Sequence, residues 1–227
     1  MLCSAMDQGF TRRHVLLGFP FALTGCTTLV SDVVQRNIDS RSSLVYGPIN
    51  DPPFTIPALD LAEIDPNVLR QEVMYRGAYR PGTVVVKVSE RRLYLVENGG
   101  RALRYGIGVG REEALNFHGS AVVGHKAKWP GWTPTASMIA RIPKYAAYAS
   151  GLPGGPGNPL GARALYLYQD GHDTSFRLHG TNEPQSIGQA VSSGCIRLFN
   201  HDIIHLYNRL AIGTPVIVEP EARPEIS

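Results

Sequence analysis

The sequence predicts a mainly β fold with one short helix. Three observations carry that expectation. Short runs rich in Val, Leu, Tyr and Phe recur at residues 83–88, 92–96, 103–109, 164–168, 175–179 and 215–218. The 24 glycines and 17 prolines favour turns over long helices. No strand–helix alternation and no internal repeat runs through the chain, which argues against a doubly wound parallel sheet.

In chain order, residues 1–25 come first. Thr11-Arg12-Arg13-His14 precedes the apolar run Val15-Leu16-Leu17, the pattern of an export signal. The run is shorter than the roughly 20 residues a membrane span needs. Its paired arginines resemble a twin-arginine signal. Leu23-Thr24-Gly25-Cys26 resembles a lipobox, which predicts lipidation of Cys26 and an anchored chain on the periplasmic side of the envelope. The alternative is a plain secretory signal with an incidental cysteine.

Residues 26–78 read as a tether and lead-in. The stretch 47–57 holds four prolines and is expected to be extended. Asp65 is placed to cap a helix that starts at Pro66 and runs to about Met74. The catalytic unit is expected at 79–220, with a tail at 221–227. Within that unit Glu97-Asn98-Gly99-Gly100 signals a tight turn between two strands. His118 and His125 beside Gly119 and Gly124 read as a loop, and His172 beside Asp173 as a turn. One helix is expected at 201–210, with Asn200 as its cap and Ile203, Ile204, Leu206, Tyr207 and Leu210 on one face. Gly213 would end it.

The chain has 22 basic and 19 acidic residues; beyond residue 25 the balance is 20 to 18. Near neutrality argues against a nucleic-acid partner or a polybasic membrane patch. His201 and His205 lie four apart on the predicted helix, but no third ligand follows at a zinc-enzyme spacing. They read as a solvated face, and no metal or other cofactor is expected. The 154–161 loop lacks the Gly-Lys-Ser/Thr of a phosphate cradle.

The chemistry concentrates in two segments. His179 lies in Arg177-Leu178-His179-Gly180-Thr181-Asn182, and Cys195 in Ser192-Ser193-Gly194-Cys195-Ile196-Arg197. A thiol becomes a useful nucleophile when a neighbour lowers its pKa or removes its proton, and histidine is the usual partner. The other cysteines, Cys3 and Cys26, both lie in the first 26 residues. With Cys26 lipidated and the chain started at Met6, Cys195 would have no disulfide partner.

These two segments resemble the L,D-transpeptidase catalytic domain, also called the YkuD domain. The resemblance runs from about residue 82 to 219. It takes in Val109-Gly110, the segment Trp129-Pro130-Gly131-Trp132-Thr133-Pro134-Thr135, the loop 154–161 and Gly213-Thr214-Pro215-Val216. Many members have histidine before the Gly-Cys pair, whereas Ser193 stands there in this chain. The resemblance implies a β-sandwich with its active site at one end and peptidoglycan stem peptides as substrate. It implies that Cys195 attacks the carbonyl before the terminal D-alanine of a tetrapeptide stem, then passes the acyl group to an amine. That amine is a second stem or, alternatively, an envelope protein; water would make the enzyme a hydrolase. A non-enzymatic wall-binding module is the remaining alternative.

His179 is expected either to take the thiol proton or to pair with a thiolate as imidazolium. By resemblance its ring is oriented by the Gly180 carbonyl. The backbone N–H groups of Gly194 and Cys195 are the expected oxyanion donors. Ser192, Ser193, Asn182, Trp132 and Arg197 are expected at the substrate. Arg197 has two readings, a fork on a stem carboxylate or a brace for the turn. Trp129 and Trp132 also have two, cleft wall or core.

Overall fold

The computed structural model describes residues 42–219. The predicted signal, Cys26 and the 221–227 tail lie outside the described residues. After a helical turn at 42–45, the proline-rich stretch folds into a hairpin of β1 (Ile49–Asp51) and β2 (Phe54–Ile56). The helix expected from Pro66 to Met74 stops after one 3-10 turn, Pro66–Val68. Asp65 does cap it, accepting from the Asn67 N–H at 2.9 Å. Val68 and Leu69 are then drawn into a buried cluster, and the chain continues as β3 (Gln71–Met74) on the open edge of a sheet. Tertiary pairing overrides local propensity there.

The predicted strands follow: β4 (Val84–Lys87), β5 (Arg92–Glu97) and β6 (Arg101–Gly106), with Gly99 and Gly100 at positive φ in the β5–β6 turn. A two-residue β7 (Val109–Gly110) comes next. The expected loop around His125 is instead the longest strand, β8 (Gly119–Lys128). Its alternation is broken by a bulge between Val123 and His125, and so the sequence hides it. Helix α1 (Ala136–Arg141) and a 3-10 turn at Pro143–Tyr148 lead on to β9 (Arg163–Gln169) and β10 (His172–His179). Two short strands, β11 (Ala190–Ser192) and β12 (Ile196–Arg197), bracket Cys195. Helix α2 (Asn200–Arg209) and β13 (Pro215–Glu219) close the domain.

The fold is mainly β. Nine strands form one sheet in the order β12-β10-β9-β8-β13-β4-β5-β6-β3, and β11 pairs with β7 in a small second sheet. One face of strands from both halves of the large sheet meets in a single core, with Val84, Leu93, Leu165, Leu178 and Ile196 in the same cluster. The sandwich-like layers are therefore parts of one hydrogen-bonded sheet. Helix α2 seals this core with Ile203 and Leu206.

Two expectations about α2 change. Phe199, not Asn200, holds the cap position, without a side-chain cap bond. The Asn200 side chain accepts from the Ala162 N–H at 2.9 Å and donates to the Thr181 carbonyl at 2.9 Å. The histidines are not a solvated face either. His201 is buried, its Nε2 bonded to the Gly47 carbonyl at 2.8 Å. His205 meets the Tyr105 hydroxyl at 2.9 Å through Nδ1 and accepts from Arg209 through Nε2. Burial, first of all, holds His201 below its ordinary pKa and His205 down to about 4.

The lead-in covers that helix. Tyr46, Val68, Leu69, Ile187 and Phe199 form a second buried cluster. Inside it the Tyr46 hydroxyl meets both oxygens of the fully buried Asp202 at 3.1 Å and accepts from the Arg70 N–H at 2.7 Å. Burial raises the Asp202 carboxyl to about 7, against the pull of the Arg70 guanidinium 3.5 Å away. Residues 42–78, expected as a tether and lead-in, are thus packed on the domain rather than strung out from it.

Candidate active site

The edge strand β12 runs parallel to its neighbour β10, with Leu178 opposite Ile196 and His179 opposite Arg197. Side chains alternate between faces. Leu178 and Ile196 enter the core, so His179 and the residue before Ile196 turn the other way. That residue is Cys195. Both line an open cleft of about 290 Å³, with Ser193, Arg197 and Phe176 on its floor. Cys195 is half-buried and a free thiol, whereas His179 is buried.

The His179 ring is fixed from one side. Its Nδ1 bonds the Gly180 carbonyl at 2.5 Å, which makes Nδ1 the protonated nitrogen and leaves Nε2 to act as base. Gly180 is held in turn by Asn200. A Cβ at residue 180 would lie 2.2 Å from Asn200 Oδ1, so only glycine permits the approach. Asn200 escaped the sequence reading because it looked like a helix cap.

Burial lowers the His179 pKa to about 3, with the Arg197 charge adding to it. Burial also raises the Cys195 thiol, opposed by a hydrogen bond from the Arg177 backbone N–H and by the Arg177 and Arg197 charges. Both shifts favour uncharged forms. Of the two forms left open by the sequence, burial thus favours neutral imidazole and thiol.

The turn carrying Cys195 is tied to itself. Ser192 is buried; its Oγ donates to the Cys195 carbonyl at 2.8 Å and accepts from the Gly194 N–H at 3.1 Å. Ser192 lines the cleft and braces the turn that carries Cys195. The Gly194 N–H is committed to Ser192, so of the two expected oxyanion donors only the Cys195 N–H is left for the role. Gly194 itself sits at φ 125°, and a Cβ there would lie 2.3 Å from the Leu115 carbonyl oxygen.

Arg197 follows neither of its two readings alone. Its Nη1 pairs with Glu183 Oε2 at 2.7 Å, while its backbone exchanges hydrogen bonds with Gly108 at 2.9 Å. Asn182 does not reach the cleft. It donates to the Gly157 carbonyl at 3.1 Å and lines a separate hollow of about 340 Å³ with Trp129.

The opposite wall is a long loop from Trp132 to Leu152, closed at its neck by a two-way backbone bridge between those residues. Asn158 is buried below the neck and donates towards the Pro130, Leu152 and Pro153 carbonyls. Trp132 lines the cleft and stacks edge-on against Tyr145 at 5.2 Å. Met138 and Arg141 of α1 complete this wall. Trp129 instead packs on Phe54. Neither α1 nor the following 3-10 turn contains a buried residue. Among the described residues lining the cleft there is no carboxylate, and Arg141 pairs with none. Arg141 and Met138 were missed because only the Thr135 cap marks α1 in the sequence. No described cluster of three His, Cys, Asp or Glu side chains is placed to hold a metal.

With this geometry in place, the comparisons are decisive for family. The family model "L,D-transpeptidase catalytic domain" matches residues 81–218. The chain belongs to the YkuD L,D-transpeptidase family. It is 38% identical over 141 residues to "Probable L,D-transpeptidase YbiS" of Escherichia coli K12, covering 59% of this chain and 43% of that protein. It is 36% identical over 154 residues to "Probable L,D-transpeptidase ErfK/SrfK" of Salmonella typhimurium, covering 66% of this chain and 47% of that one. The chain thus spans under half the length of these two relatives. A solved Brucella melitensis structure titled "Probable carnitine operon oxidoreductase caia" is 47% identical and covers 68% of this chain and 96% of its own, at TM-score 0.47. That overlap is too low to carry an argument about either fold or activity.

Proposed function

We propose that this YkuD-family chain is a peptidoglycan L,D-transpeptidase whose nucleophile is Cys195 and whose base is His179. The observation that carries the reading is that His179 and Cys195 line one cleft, with the His179 Nδ1 held on the Gly180 carbonyl. The Cys195 sulfur attacks the carbonyl before the terminal D-alanine of a tetrapeptide stem, and its proton passes to His179 Nε2. The Cys195 N–H faces the oxyanion. His179 returns the proton to the departing D-alanine amine, leaving an acyl-thioester. An incoming amine then displaces the thiolate, losing its proton through His179, and the thiol is restored. Arg141 supplies an unpaired guanidinium for a stem carboxylate in a cleft without competing carboxylates. The loop from Trp132 shields the thioester from water. Cys26 is the lipid attachment point, holding the enzyme on the periplasmic side.

Purified protein incubated with tetrapeptide-bearing sacculi tests this by muropeptide analysis. Cross-linked dimers and released D-alanine are expected, and both disappear in Cys195→Ala. Tripeptide alone would mean water is the acceptor, and stems joined to an envelope protein would mean tethering. Product formation by Cys195→Ala would sink the thiol mechanism. A β-lactam of the carbapenem class, to which the family resemblance implies sensitivity, should form a mass adduct on the peptide containing Cys195.

A further inference from the structure

Strand β10 is not regular beneath the nucleophile. Its register against β9 shifts between Asp173 and Arg177, and Ser175 within the bulge sits at φ 65°. That conformation is uncommon for a residue with a side chain and persists only where its surroundings enforce it. Here they do. Asp173 Oδ1 accepts from the Ser175 N–H at 2.8 Å and from Arg177 Nη1 at 2.7 Å, and its Oδ2 accepts from Arg177 Nη2 at 2.8 Å. Arg177 Nη1 also donates to the Phe176 carbonyl at 2.9 Å. Thr174 Oγ1 donates to the Leu167 carbonyl and accepts from the Phe176 N–H. Each residue of the bulge is thereby tied by a side-chain hydrogen bond, its own or a neighbour's.

The bulge ends at the sulfur. In the parallel β10–β12 register, Leu178 opposite Ile196 puts Arg177 beside Cys195. The Cys195 Sγ lies 4.0 Å from the Ser175 carbonyl oxygen. The guanidinium of Arg177 also stacks over the Tyr166 ring at 4.1 Å, and His125 packs edge-on against that ring at 4.8 Å. A cross-strand row thus runs from β8 through β9 to the bulge.

We infer that the Asp173–Arg177 fork is a positioning device for the nucleophile: it holds the bulge so that the Arg177 backbone N–H and the Ser175 carbonyl stand beside the Cys195 sulfur. The inference rests on Cys195 being the reactive thiol of the proposed function. Neither fork residue touches substrate, so both act through the backbone. The charged or titratable groups facing the thiol are His179 from β10, Arg197 from β12, Asp173 with Arg177 in the bulge, and Arg141 and Tyr145 across the cleft.

The test is the pH profile of Cys195 alkylation by iodoacetamide, read by peptide mass spectrometry on the full chain without substrate. Charge alone and positioning predict opposite signs. Asp173 raises the thiol pKa through its charge, so mere removal of that charge in Asp173→Ala would shift the profile down and speed alkylation. Loss of the fork withdraws the Arg177 N–H, the backbone donor that favours the thiolate, and so shifts the profile up, slowing alkylation about tenfold at neutral pH, the effect of about one pKa unit. Arg177→Lys keeps the charge but not the fork, and is expected to shift the profile the same way. Ser175→Gly keeps the backbone conformation and should match wild type, whereas Ser175→Val should not. If Asp173→Ala does not fold, as shown by its melting curve, Arg177→Lys carries the decision. An unchanged or downward profile in the folded fork variant overturns the inference. Because this readout needs no substrate, it is separable from the sacculus assay. Cross-linking by Cys195→Ala alongside an upward shift would reject the function and leave the fork's action on the thiol standing.

Discussion

The two walls of the cleft are built on opposite terms. The floor around His179, Ser192 and Ile196 is largely buried, braced by side-chain hydrogen bonds and closed against side chains larger than hydrogen at Gly180 and Gly194. The facing loop from Trp132 to Leu152 is tied at its neck, and its α1 helix and 3-10 turn bury nothing. Chemistry that depends on angles and proton positions needs the first kind of wall. Admission and shielding of a large, polar substrate suit the second, because weakly packed segments open at little cost.

The largest break in this contrast should come from Gly194→Ala. The new methyl meets the Leu115 carbonyl oxygen on a backbone at φ 125°, so the turn must move. A displacement of the nucleophile near 1 Å is worth about a hundredfold in acylation rate. β-Lactam acylation followed by mass spectrometry checks this; a rate within threefold of wild type, on the order of 0.7 kcal/mol, would show the floor to be softer than its packing implies.

The next break is by pH. The His179 pKa lies below its ordinary 6.5, at about 3. Its base form therefore persists as pH falls through 6.5, and the acylation rate should show no acid limb there. Stability behaves differently. The unfolded chain takes up that proton near 6.5, so the contribution of His179 is present above 6.5 and is lost as pH falls towards about 3. His201 and His205 act with the same sign, and Asp202, raised to about 7, with the opposite one. The melting temperature should thus fall on acidification while the rate holds. An acid limb in the rate centred at 6.5 would mean the floor admits water.

Ser192→Ala removes two hydrogen bonds and leaves the buried Gly194 N–H without its partner. The expected cost is about 1–3 kcal/mol in chemical denaturation. Acylation should also slow, because the same bonds hold the Cys195 turn. The smallest structural effect belongs to the loop. Arg141→Ala should leave stability within about 0.5 kcal/mol and raise KM for tetrapeptide donors with little change in kcat. A matching loss of stability would show that α1 is packed as firmly as the floor.

The floor was far more legible in the sequence than the loop, for a physical reason. Regular strands announce themselves by alternating or continuous apolar runs, and so β4, β5, β9, β10 and β13 were readable. His179, Gly180 and Cys195 carry chemistry that constrains residue type at fixed positions. Beyond them, roles depend on what the chain brings alongside. Ser192 looked like a substrate contact and is also a brace. Asn200 looked like a cap and is a wedge beneath the histidine. Arg197 acquires Glu183 only once the 3-10 turn at Pro184–Ser186 folds beside it. In β8 the bulge at Gly124 erased the period that marks a strand. The α1 segment has neither buried face nor apolar period, and the Thr135 cap alone marks its start.

The pairing of Tyr46 and Arg70 with Asp202 bears on where this protein can be cut. The family match starts at residue 81, and the sequence alone suggests trimming near 79. The folded unit does not end there. A chain starting at 79 would uncover Phe199 and Ile187 and deprive Asp202 of both its partners. Removing one partner of a buried ionic contact typically costs roughly 3–5 kcal/mol, a large share of a domain's total stability. Residues 42–78 behave as an intramolecular keystone, and a soluble, active fragment has to begin ahead of Tyr46.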